Sequence, residues 1–107
     1  MIEFTEGIYD FYVYILTNKN KTVLYTGVTN DIRRRLKEHR EKKNPKSFTA
    51  RYNVEFLIYY EHFGWIQLAI EREKEIKDLR RELKLDLIKN FNPELQFLNS
   101  HFEIPPE

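Results

Sequence analysis

"FYVYILTNKNKTVLYTG", residues 11–27, decides the fold of this chain. Its first seven residues are mostly aromatic and β-branched, as in a strand. The polar Asn18-Lys19-Asn20-Lys21 follows, and then a second strand-like run at residues 22–27. Two such runs joined by a short polar segment predict a β-hairpin with its turn at residues 18–21. Side chains alternate along a strand, so Phe11, Val13 and Ile15 share one face, and Tyr12, Tyr14 and Leu16 the other. A turn centred in residues 18–21 sets Tyr14 opposite Tyr25. Tyr9, in the upstream Gly7-Ile8-Tyr9, would pair near residue 30, beyond the second strand. Tyr14 and Tyr25 are therefore the pair to watch, either as ordinary sheet packing or as part of a site.

Beyond the hairpin, residues 29–44 predict a helix of about four turns, with Asn30 as N-cap, Asp31 in its first turn and Pro45 just past its end. Residues 47–53 are polar and aromatic and predict a loop. "VEFLIYYE", residues 54–61, predicts a third strand closed by Gly64. From Ile66 the apolar spacing turns helical and runs to Phe91 as one or two helices, stopped by Pro93. The terminal "IPPE" reads as a frayed tail. The expected architecture is α/β of the α+β type: a small, three-stranded, mainly antiparallel sheet flanked by helices in the order β-β-α-β-α-α. A single domain spans residues 1–107, with a core over about 11–92 and extensions at 1–10 and 93–107.

Composition narrows the function. With no cysteine, there is no thiol nucleophile, disulfide or thiolate metal site. The first ten residues hold three acids and no base, unlike a signal peptide. No apolar run approaches the roughly 20 residues a bilayer-spanning helix needs, so no membrane partner is expected, and a cytoplasmic setting is. Net charge is only +1, but residues 30–51 carry nine Lys/Arg against three acids. Such a segment is either a solvated helix or the electrostatic footprint of a polyanion.

Three side chains stand out. Arg35 and His39 lie one turn apart on the first helix, beside the apolar Ile32 and Leu36. Arg35 is either a surface cation or a bidentate phosphate holder, and His39 either a half-buried polar group or a chemical one. Arg33, Arg34 and Lys37 point elsewhere, to solvent or to phosphates. Glu73 falls inside the stripe Ile66, Ala69, Ile70, Ile76, where a carboxylate needs a partner. That partner is either Lys77, one turn on, or a hard cation such as Mg²⁺.

These residues, in this order, resemble the GIY-YIG nuclease superfamily over roughly residues 11–92, most closely its small stand-alone bacterial members. The tyrosine spacing of that family is met by Tyr14 and Tyr25, eleven apart, and not by Tyr9, sixteen from Tyr25. Tyr12-Val13-Tyr14 thus stands for the first motif, and Tyr25-Thr26-Gly27, with Thr for the usual Ile, for the second. Arg35, eight residues after Gly27, matches the family arginine, and His39 the position four further on. Glu73 and Lys77 match its Ala-x-x-x-Glu-x-x-x-Lys pattern from Ala69. Asp78-Leu79 departs from the Gly-Trp common in relatives.

The resemblance implies a divalent-metal-dependent endonuclease that hydrolyses DNA phosphodiesters. It implies one Mg²⁺ or Mn²⁺ at Glu73, phosphate held by Arg35, and water activated by a tyrosine, Tyr14 favoured with Tyr25 orienting it. His39 would orient or relay a proton, and Lys77 would support Glu73. Gly27 would allow close backbone approach, and Arg33, Arg34, Lys37, Lys46, Thr49 and Arg51 would contact nucleic acid. The implied partner is DNA, including the branched or damaged DNA met in repair. A homodimer or a separate targeting partner is compatible with a domain this small, and no residue pattern demands either. Two other classes stay open: a nucleic-acid-binding module with little or no turnover alone, and a structural protein whose polar residues satisfy one another.

Overall fold

The computed structural model describes residues 10–103. The Gly7-Ile8-Tyr9 tripeptide and the tail at residues 104–107 lie outside the described residues. Strand β1 (Phe11–Thr17) pairs antiparallel with β2 (Leu24–Thr29) on one side and with β3 (Phe56–Phe63) on the other, giving the order β2-β1-β3. The predicted α+β architecture and element order hold. Helix α1 (Ile32–Arg40) and a one-turn helix α2 (Phe48–Arg51) carry the chain from β2 to β3. Helices α3 (Ile66–Asp78) and α4 (Arg81–Phe91) follow. Among the described residues, no helix is long and apolar enough to cross a membrane.

Because β1 is central, both of its faces are covered. Val13 and Ile15 pack with Ile58, Ala69, Ile76 and Ile88, joining the sheet to α3 and α4. Tyr14 and Leu16 pack with Ile32, Leu36, Val54, Leu57 and Leu98 on the α1 side. Full burial of each such aliphatic side chain is worth roughly 1.5–3 kcal/mol.

The hairpin register differs from the sequence expectation by two residues. Tyr14 stands opposite Gly27, and Tyr25 opposite Leu16. The cause is the loop, which is longer than a four-residue turn because Asn18 organises it. Its Oδ1 accepts from the Thr22 and Val23 amides at 2.8 and 3.2 Å, while Lys21 takes a left-handed φ of 60°. A slip of two preserves the face on which each side chain lies, so Tyr25 stays on the Tyr14 side as a diagonal neighbour.

Other boundaries moved for local reasons. Asp31, not Asn30, caps α1: its carboxylate accepts from the Arg34 amide at 3.1 Å, and its own amide donates to Thr29 Oγ1. The helix stops at Arg40, well short of Pro45, because no apolar residue follows His39 to hold another turn and Lys42 adopts a left-handed φ of 52°. The expected loop at 47–53 contains α2, capped by Ser47 Oγ on the Ala50 amide. The apolar run after Ile66 splits in two at Leu79 and Arg80, whose backbones are extended. Residues after Pro93, read from sequence as an extension, close over β3: Leu98 is buried, and Asn99 receives the Leu57 amide and donates to the Glu55 carbonyl.

The Tyr14 ring lies directly over Gly27. A Cβ added at Gly27 would sit 2.5 Å from the Tyr14 hydroxyl oxygen and 2.6 Å from Cζ, closer than atoms can approach. Tyr14 is itself locked in the centre of the sheet. Gly27→Ala is therefore expected to destabilise the fold by about 1–3 kcal/mol through overpacking. A lower urea midpoint at an unchanged slope would report it.

Candidate nuclease site

Tyr14 is the hub of the site. Only 1% exposed, it directs its hydroxyl at His39 Nε2, 3.3 Å away, and interacts with the Arg35 guanidinium. His39 and Arg35 reach it because they stand one turn apart on α1, which Ile32 and Leu36 dock against the sheet. On its other side, His39 Nδ1 meets Thr49 Oγ1 at 3.0 Å, and Thr49 Oγ1 lies 3.3 Å from Ser47 Oγ. A hydrogen-bonded chain thus runs Tyr14–His39–Thr49–Ser47 from the buried sheet to the surface of α2. Tyr25 completes the cluster, its ring centroid 6.4 Å from Tyr14 and 5.7 Å from His39. Beside it opens a cleft of about 380 Å³ lined by Tyr25, Arg35, Glu38, His39, Lys42, Lys43, Asn44, Ser47, Phe48 and Thr49.

Burial dominates the electrostatics. It pushes the Tyr14 phenol up to about 12, with Tyr25 adding to the shift and the Arg35 charge and hydrogen bond opposing it. His39 is driven down to about 4, first by burial and then by the positive Arg35, against a smaller pull from Glu38. Near neutral pH both groups are uncharged, and Arg35 places a lasting positive charge beside them. Part of its fork is occupied by Glu38, whose carboxylate lies 2.9 Å from Nη1. Glu38 is in turn held below the usual carboxylate range by the Arg35 hydrogen bond.

Glu73 sits between the buried Ala69 and Ile76 on α3, and its side chain is only 16% exposed. The stripe is narrower than its spacing implied, since Ile66 and Ile70 are exposed. Lys77 Nζ lies 3.4 Å from the Glu73 carboxylate, the ion pair foreseen from the i, i+4 spacing. The negative charge of Glu73 also bears on the Tyr14 phenol, so the carboxylate belongs to the same neighbourhood.

A family model described as the GIY-YIG catalytic domain matches residues 10–86, most of the chain. The chain belongs to the GIY-YIG family. Among its relatives, a UPF0213 protein of Syntrophus aciditrophicus is 41% identical over 83 residues, 78% of this chain and 93% of that one. A UPF0213 protein of Natronomonas pharaonis is 40% identical over 79 residues, 74% and 91% of the two chains. The solution NMR structure of a UPF0213 protein of Bacillus halodurans superposes with a TM-score of 0.53 at 32% identity, covering 85% of this chain and 93% of that one. GIY-YIG domains are nucleases, so nucleic acid is the substrate class.

GIY-YIG endonuclease domains generally use divalent metals, and the donor set here can be tested for one. Among the described residues, no group of three or more His, Cys, Asp or Glu converges. A single, half-buried carboxylate does stand near the tyrosines, with a lysine that is itself half exposed as its counter-charge. One carboxylate suffices for Mg²⁺, which keeps several waters and takes further oxygens from substrate phosphate. Glu73 fits that role as an all-oxygen, one-ligand anchor, and a cage without phosphate does not fit.

Several residues expected at the surface lie elsewhere. Thr49 is buried as the partner of His39, and Gly27 is buried beneath Tyr14, so the close approach it permits is that of the phenol. Arg33, Arg34 and Lys37 point outward from α1, away from the cleft lining, and Lys46 and Arg51 are exposed near α2. Lys42, Lys43, Asn44 and Phe48, which line the cleft, were missed as site residues. The signal available for the first three was the absence of an apolar residue after His39, which ends the helix early and folds the lysines back.

The depressed His39 pKa links the site to stability. The unfolded chain takes up this proton near pH 6.5, whereas the folded protein resists it until about pH 4. Protonation thus favours unfolding between those values. The contribution is complete above about pH 6.5 and falls by roughly 3 kcal/mol as the pH drops to about 4. Urea titrations across this range should show that loss, and His39→Gln should flatten it.

Proposed function

We propose that this GIY-YIG domain is a cytoplasmic endonuclease that hydrolyses DNA phosphodiesters, with the scissile phosphate at Arg35 and one Mg²⁺ or Mn²⁺ at Glu73. The observation that carries the reading is the convergence of Tyr14, His39 and Arg35 on one another beside a cationic cleft. The name shared by the relatives specifies no reaction, so the chemistry rests on these groups.

Arg35 is permanently charged and planar, suited to grip two phosphate oxygens and to neutralise charge that builds on them during in-line attack. An entering phosphate competes with Glu38 for the fork. Glu73 would hold the divalent ion, which would act as a Lewis acid on the phosphate and on the leaving oxygen. Tyr14 is the residue we assign to activate water. Its phenol keeps its proton in the free protein, because burial raises it to about 12. Arg35 opposes that shift, and added positive charge would lower it further. His39 Nε2 orients the phenol and offers it a neutral ring nitrogen for the proton, while Thr49 fixes the ring from behind. Tyr25, on the cleft wall with its ring centroid 6.4 Å from that of Tyr14, serves as the orienting partner of Tyr14.

A second reading, recognition with little turnover alone, is favoured by the Glu73–Lys77 pair, which gives the carboxylate a partner without a metal. Cleavage of labelled single-stranded, duplex and branched DNA with Mg²⁺ or Mn²⁺ separates the two. Turnover should vanish with Arg35→Ala and with Glu73→Ala, while Glu73→Ala keeps DNA binding in the absence of metal. If no substrate is cut but Arg35→Ala still weakens binding, the recognition module is the correct reading.

The tyrosines are expected to separate in the same assay. Tyr14→Phe should lower the cleavage rate by about 10²–10⁴-fold, the usual contribution of a general base, and Tyr25→Phe by clearly less. The reverse ranking would exchange their roles.

A further inference from the structure

Phe48 and Tyr52 are large aromatic side chains that the fold leaves outside. They are 47% and 49% exposed, although each could have been polar at no cost to the core. They are also ordered relative to one another. Phe48 stacks on the Tyr25 ring, with centroids 6.4 Å apart and planes 25° from parallel. Tyr52 follows at 4.9 Å from Phe48, and the Arg51 guanidinium lies 5.9 Å from the Tyr52 centroid. The row therefore starts at the cleft wall beside the catalytic cluster and climbs outward along α2. Lys42 and Lys43 line the same cleft, so the aromatic row runs beside positive charge.

Exposed aromatic faces beside a cationic groove suit a strand whose bases are free to stack while its phosphates track the charge. Bases inside a duplex are already stacked on their neighbours and present only their edges. From this geometry we infer that Phe48 and Tyr52 form a stacking subsite for an unpaired nucleobase next to the scissile phosphate. The substrate is then a nucleic-acid strand that is single-stranded, frayed or looped at the point of attack. The inference rests on the nuclease reading above and adds the structural class of its substrate. It also gives α2 a purpose: Ser47 caps it and Thr49 ties it to His39, so the platform and the catalytic cluster share one rigid support.

The test is equilibrium binding without divalent metal, read by fluorescence anisotropy. It compares a short labelled oligothymidylate, an abasic deoxyribose-phosphate chain of the same length, and a blunt duplex. The oligothymidylate should bind roughly ten-fold more tightly than the abasic chain, as expected for stacking one or two bases. Phe48→Ala, Phe48→Leu and Tyr52→Ala should each erase most of that ratio, leave abasic affinity unchanged and keep the melting temperature. Phe48→Trp should retain the ratio. Equal affinity for the two chains overturns the subsite. So does a Phe48→Leu protein that keeps the preference, or variants that weaken both chains together as the melting temperature falls. If base preference is absent but binding remains sensitive to salt and to Arg35→Ala, the nuclease reading stands alone. If neither chain binds and Arg35→Ala changes nothing, both fail.

Discussion

The structure depends on one close contact, the Tyr14 ring lying across the backbone of Gly27. β1 is the central strand, so a tyrosine on its α1 face has to find room for a long, polar-tipped side chain inside the core. The absent side chain at Gly27 provides that room on the neighbouring strand. It also decides where the hydroxyl ends, at His39 Nε2 and within reach of Arg35. Any larger residue opposite Tyr14 would displace the phenol from both partners. Packing and chemistry are therefore coupled: the atoms that fill the core here are the ones that form the site. A buried phenol and a buried imidazole are each unfavourable unless they are hydrogen-bonded, and here each satisfies the other.

The hairpin, the third strand, the helices after Ile66 and the two tyrosines were legible because periodicity and residue type act locally. Arg35, His39 and Glu73 were picked out by spacing on helices, and the structure brings Arg35 and His39 to Tyr14. What could not be read depends on side chains acting across several residues. The register shifted by two because Asn18 holds the amides of Thr22 and Val23, a choice that composition does not reveal. α1 ended early because residues past His39 have nothing to pack against. α2 was hidden in a segment that looks like a loop by composition, although Ser47 standing three residues before Ala50 was an available capping signal. Thr49 was expected among the nucleic-acid contacts, and only the fold shows that it is spent on His39.

The charge distribution has a comparable logic. The nine basic residues of positions 30–51 are not equivalent once folded. Arg35 is drawn inward to the phenol, Lys42 and Lys43 border the cleft, and Arg33, Arg34 and Lys37 face outward. A chain of net charge +1 thus presents a local positive field around a neutral core of Tyr14 and His39. Such a field draws a polyanion towards one face without demanding a basic protein overall. Burial holds His39 neutral in that field, so the ring retains an acceptor nitrogen that a protonated imidazole would lack.

Glu73 occupies the opposite electrostatic position. Its charge reaches Tyr14, and it comes from α3, whereas Arg35 comes from α1. Its pairing with Lys77 keeps a half-buried carboxylate tolerable when nothing else neutralises it. That pair is long at 3.4 Å, and the lysine is about half exposed, so its net worth is small. A stronger partner would satisfy the carboxylate so well that a cation could not compete for it. A weak, solvent-facing lysine leaves the carboxylate oxygens open to an oxygen-seeking metal.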